Sequence, residues 1–119
     1  MGVARRHLAL PIVADAFAKF RCDLKPFQAF EIESRVLGWD EKWTFLEHRF
    51  VSEGRVVGVV VVKGVFRHAK GTLAPSTLLD ELGRAGEVAP ELPAWVRQWH
   101  RASDGLSQDL RHEEALFAT

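Results

Sequence analysis

The sequence has one cysteine, no tyrosine and no excess of either charge. Cys22 cannot close an internal disulfide, and the N-terminus lacks the apolar stretch of a secretory signal, so a reducing cytoplasm is the expected compartment. Lys and Arg together number 16, as do Asp and Glu, so no overall field draws the protein to nucleic acid or an anionic membrane. The longest strongly apolar run, Val56 to Val62, is far short of the roughly 20 residues a membrane-spanning helix needs. The five histidines, His7, His48, His68, His100 and His112, form no His-Glu-x-x-His pattern and have no cysteine cluster beside them, so neither metal nor cofactor is expected. Ser34, Ser52, Ser76, Ser103 and Ser107 lack a Gly-x-Ser-x-Gly setting, and the glycines match no phosphate loop.

What is present is one domain's worth of chain, 119 residues, with an α+β pattern. Period-two stretches predict strands over 12–24, 27–37, 43–50 and 55–67, with Lys25-Pro26 breaking the first ladder. In the second stretch Phe30, Ile32, Val36 and Leu37 supply apolar surface, with Glu31, Glu33 and Arg35 pointing mainly the other way. Gly38 to Lys42 and Ser52-Glu53-Gly54 read as turns, which makes the expected sheet an antiparallel meander. The fourth strand is apolar on both faces and needs cover on both. Proline near its start and glycine after its end predict a helix over about 75–82, and Leu92, Trp95, Val96 and Trp99 predict another over 93–102. Residues 103–119 read as a polar tail, a weak helix or frayed, beyond a domain of 1–102. These helices are too short to cover the fourth strand, so a partner chain or an upstream element is expected to do it.

Leu24-Lys25-Pro26-Phe27-Gln28-Ala29-Phe30-Glu31, Arg35-Val36-Leu37-Gly38-Trp39-Asp40-Glu41-Lys42-Trp43, Leu46-Glu47-His48-Arg49-Phe50 and Val62-Lys63-Gly64-Val65-Phe66-Arg67 resemble the acyl-CoA thioesterase-like branch of the hotdog superfamily. The likeness runs from about Pro11 to Trp99. It implies a curved antiparallel sheet of about four strands, 12–67, that normally wraps one long helix. It also implies that the usual first strand and that helix are missing upstream. Relatives of this type carry their catalytic carboxylate near the helix N-terminus, where backbone N–H groups can meet an oxyanion. No residue of this chain matches that position, so no catalytic residue is assigned.

Trp39, Asp40 and Lys42 are the candidate substrate-binding residues, a cation for a coenzyme A phosphate and indoles for its adenine, against the plainer reading of a charged turn anchored by tryptophans. Glu47 and His48 are adjacent on a strand, point to opposite faces and cannot share one substrate. Cys22 reads as a buried, inert thiol, and Trp95 and Trp99 as core or interface residues. The expected function is that of an acyl-CoA thioester hydrolase family member, whether active or inactive in this short form. The alternative is a non-catalytic dimerisation or acyl-ligand-binding module. Both readings expect a homodimer or higher oligomer, and an acyl-CoA or other acyl thioester as ligand.

Overall fold

The structure is a computed structural model that describes residues 10–23, 25–68, 71–81 and 83–118. The strands are β1 (Leu10–Phe20), β2 (Glu31–Trp39), β3 (Thr44–Ser52), β4 (Arg55–His68) and a short β5 (Gly71–Leu73). The helices are α1 (Pro75–Glu81) and α2 (Ala94–Ala118). The expected strand end at Leu24, the helix end at Leu82, His7 and the lead-in before Leu10 lie outside the described residues.

All pairings are antiparallel, as expected, but the sheet is not a simple meander. Its order is β1-β4-β3-β2, with β5 added to β4. β1 pairs with β4, and the chain must then pass the tip of the β3–β4 hairpin to start β2 at the far edge. Ser52 fastens that passage: its hydroxyl accepts a hydrogen bond from Gln28 Nε2 at 2.8 Å and donates one to the Ala29 carbonyl at 2.8 Å. Glu53 and Gly54 both have positive φ (54° and 73°), the geometry of the two-residue hairpin turns that match strand twist. A reading of local pattern finds the strands but not their partners, because pairing order is a long-range property.

Two boundaries also move. Phe27 has φ of 64° and lies in the loop, so β2 starts at Glu31 instead of 27, and Gly38 and Trp39 belong to β2 instead of to the turn. Gly38 is needed there: a Cβ would lie 2.9 Å from Leu92 Cδ2 and 3.1 Å from the Pro90 carbonyl oxygen. The turn itself is Asp40 to Trp43, closed by Asp40 Oδ1, which accepts from the Lys42 and Trp43 amides.

α2 runs on to Ala118, well past residue 102. Its Val96, Trp99, His100 and Ser103, spaced i, i+3, i+4 and i+7, are the residues turned to the sheet. Val96 joins Leu37, Phe45 and Val61 in the main core, flanked by Trp43, Val59, Leu92 and Trp99. We call this side of the sheet the helix face. α1 caps only one end of the other side, where Leu78 packs with Phe66 and Leu73.

Candidate functional site

The register places Ala16, Ala18 and Phe20 of β1, Gly58, Val60 and Val62 of β4, Leu46, His48 and Phe50 of β3, and Ile32, Ser34 and Val36 of β2 on one face. No described helix covers its centre. Phe20 is 70% exposed, Ile32 54% and Val36 50%. The apolar half of the β2 alternation therefore marks the open face, not a buried one. One polar pair interrupts it, Ser34 Oγ and His48 Nδ1 at 2.7 Å across the β2–β3 ladder.

At one end this open face deepens into a depression of about 320 Å³ between β2, β4 and α1. Val36, Trp39, Phe66 and Leu78 form its apolar wall, and the Arg84–Glu87 ion pair stands at its edge. Trp39, one of the three predicted site residues, is thus a wall residue. The other two lie in the adjoining turn: Asp40 Oδ1 closes it, and the Lys42 ammonium lies 4.5 Å from the centroid of the Trp43 ring. Trp43 packs into the core on the helix face, so the two indoles do not form a shared cage.

The carboxylates of the described strands point away from the open face. Glu47 is buried on the helix face, and its Oε1 accepts from Arg49 Nε at 2.8 Å and Arg35 Nε at 2.9 Å. Burial alone would raise the Glu47 carboxyl, but the hydrogen bonds and charges of Arg49 and Arg35 outweigh it and hold the group below the usual carboxylate range. His48 is on the opposite face, as strand geometry requires, and it takes no part in this cluster.

A second buried polar group holds α2 to the sheet. Lys63 Nζ donates to Ser103 Oγ at 2.9 Å and to His100 Nδ1 at 3.2 Å, lies 3.8 Å from Asp104 Oδ1, and sits 4.9 Å from the Trp43 centroid. With Nδ1 accepting, the His100 proton belongs on Nε2, which faces Asp104 at 3.6 Å and Asp40 at 4.0 Å. The signal for this cluster is present in the sequence as a lysine inside a valine strand and His100, Ser103 and Asp104 at helical spacing. Only the docked helix shows that they meet. Among the described residues no group of His, Cys, Asp and Glu is arranged to hold a metal ion, and no helix is long and apolar enough to cross a membrane.

Comparison with known proteins agrees with this architecture. The sequence profile of the thioesterase-like superfamily matches residues 1–100. A probable thioesterase of Saccharomyces cerevisiae is 32% identical over 89 residues, which is 73% of this chain and 39% of the yeast protein. The protein THEM6 of Xenopus laevis is 29% identical over 106 residues, 88% of this chain and 50% of its own. The thioesterase poxG of Penicillium oxalicum is 32% identical over 110 residues, 70% of this chain and 36% of its own. The chain thus spans half the length, or less, of these curated relatives. Among solved structures, a gentisyl-coenzyme A thioesterase superposes with a TM-score of 0.55 at 20% identity, covering 69% of this chain and 66% of that one. The fold is shared: a hotdog-like antiparallel sheet with a C-terminal helix. The chain belongs to the thioesterase-like superfamily.

Proposed function

We propose that the chain forms the sheet wall of a site that takes an acyl-CoA or another acyl thioester. The observation that carries this reading is the open apolar face in a chain whose family profile spans residues 1–100. An acyl group needs an apolar surface that is not already spent on the protein's own core, and the depression walled by Val36, Trp39 and Phe66 offers one. Trp39 is the residue proposed to touch the acyl group. Asp40 and Lys42 are proposed to act from the adjoining turn, where the Lys42 ammonium is free to leave the Trp43 ring for a phosphate. The same open face supports self-association, because apolar surface of this extent is normally covered. Cys22, a free thiol, is at home in a reducing, cytoplasmic setting.

A second reading is favoured by one observation: no strand residue on the open face is a carboxylate, so the described sheet brings no general base to the acyl group other than His48, which is bonded to Ser34. On that reading the chain binds an acyl ligand or a second copy without hydrolysis. Acyl-CoA hydrolysis measured on the chain separates the two. Turnover that disappears when a single carboxylate is changed would sink the non-catalytic reading. Acyl-CoA that raises the melting temperature of the chain without turnover, an effect reduced in Trp39→Ala, is the result expected if binding alone is right.

A further inference from the structure

The helix face carries a second depression, at the end of the sheet that α2 leaves uncovered, near the tip of the β3–β4 hairpin. Its volume is about 390 Å³, and Val59 forms part of its lining. Three cations border it: Lys19 on β1, Arg21 just beyond β1, and Arg49 on β3. The carboxylate within it, Glu47, is already engaged, since one oxygen accepts from both Arg49 and Arg35. Both arginines use Nε for that contact, and their terminal nitrogens make no hydrogen bond among the described residues. Arg21 spends one terminal nitrogen on the Val56 carbonyl at 3.2 Å, and Lys19 has no ion pair among the described residues. Glu33, opposite Arg49 in the β2–β3 register, lines the neighbouring depression with Arg35 and is exposed.

The remaining wall is aromatic. Phe17 and Trp95 pack with centroids 5.2 Å apart and planes tilted by 50°, and Trp95 is 40% exposed, which leaves indole surface for another ring. Trp95 lies in the first turn of α2, so the positive end of the helix dipole adds to the field of the three cations.

We propose that this pocket binds a phosphate monoester carried on a planar ring, with the phosphate held by Lys19, Arg21 and Arg49 and the ring stacked on Trp95. A phosphate fits better than a carboxylate because a monoester brings a charge of about −1.5 to −2, closer to what three cations against one spent carboxylate leave uncompensated. Guanidinium groups also match phosphate geometry with paired N–H donors. A nucleotide and a simple aryl phosphate share this chemistry. The site lies on the opposite side of the sheet from the acyl-binding face, and it does not depend on that reading.

Titration calorimetry of the full chain at low salt, with adenosine 5′-monophosphate, phenyl phosphate, adenosine and inorganic phosphate as probes, tests it. Saturable binding of at least one of the two ring phosphates is expected, weakened tenfold or more in the double variant Lys19→Gln/Arg21→Gln, which leaves the Glu47 contacts intact. Trp95→Leu should weaken the ring phosphates several-fold and leave inorganic phosphate unchanged, with circular dichroism confirming that each variant folds. Binding of only one ring phosphate supports the proposal and identifies the source. It is overturned if neither binds, if the double variant binds as tightly as the parent, or if inorganic phosphate binds as well as both.

Discussion

Among the described residues of the sheet, Glu47 and Lys63 are the two buried charged side chains, and they are held by different means. Glu47 is closed in by two arginines that are themselves well exposed, so its partners keep their hydration while the acid loses its own. Glu47→Gln keeps the shape but replaces charge-assisted bonds with weaker ones, and a loss of about 1–3 kcal/mol in urea unfolding is expected. The pH dependence has a definite sign. Because the folded-state pKa of Glu47 is lowered, its contribution is fully present above the ordinary glutamate range of about 4.3 and is lost as pH falls through the lower folded value. Acid unfolding followed by circular dichroism should therefore begin earlier in the parent chain than its other groups require, and Glu47→Gln should remove that component. Lys63 differs, because its stem fills space under α2 while Asp104, its ion-pair partner, is 52% exposed and can turn to water. Lys63→Met should then change stability by less than about 1 kcal/mol, whereas Lys63→Ala, which opens a cavity, should cost about 2–4 kcal/mol. Equal losses in the two variants would show that the ammonium, not the stem, secures the helix.

Elements were legible in the sequence where periodicity is local, and not where the outcome depends on distant residues. The alternation of Phe30, Ile32 and Val36 with Glu31, Glu33 and Arg35 identifies β2 and its two faces, and the valine run identifies β4 as the inner strand. The Asp40 turn, the Pro75 helix start and the two-residue hairpin tip were legible for the same reason, since each follows from one residue's preferred geometry. The β1–β4 pairing was not, because nothing in 10–23 records which strand it will meet. β5 was missed because three residues carry too little pattern. Of the residues lining the depression, the sequence singled out Trp39, while the Ser34–His48 and Arg35–Glu47–Arg49 groups exist only through the β2–β3 register. The full length of α2 was hidden for another reason: its second half is polar with sparse apolar residues, and Leu106, Leu110 and Phe117 are all 47% exposed or more. Gly105 interrupts that half at an intrinsic cost of about 1 kcal/mol relative to alanine. Since the main core takes only Val96 and Trp99 from α2, a chain ending at Asp104 should retain its melting temperature within a few degrees while losing helical signal at 222 nm. A collapse of the sheet on this truncation would mean that the second half of α2 stabilises the fold through contacts beyond the core.

Taken as a whole, the molecule exposes more surface than its size requires. Its accessible area is 8730 Å² for 13.4 kDa, where a compact monomer of that mass presents about 6,500 Å². The Cα radius of gyration is 17.2 Å, against about 13.5 Å for a compact domain of this length. The projecting half of α2 accounts for part of this. Part of the apolar excess lies on the open face, where Phe20, Phe30, Ile32 and Val36 are between 47% and 70% exposed around Val60 and Val62. A stable interface requires only about 800 Å² per partner, so the surplus is sufficient for one. The strand pattern gives the same answer independently, since the apolar side of an alternating strand is the side that is buried in the working molecule. Sedimentation equilibrium at tens of micromolar chain should accordingly return at least twice the monomer mass of 13.4 kDa. Ile32→Glu, which places a charge on the β2 edge of the open face and touches neither α2 nor the main core, should shift the distribution toward monomer without lowering the melting temperature of the monomeric fraction. If the parent chain sediments as a monomer and the variant behaves identically, the open face is not a self-association surface, and its cover must come from an upstream element, a different chain or a ligand.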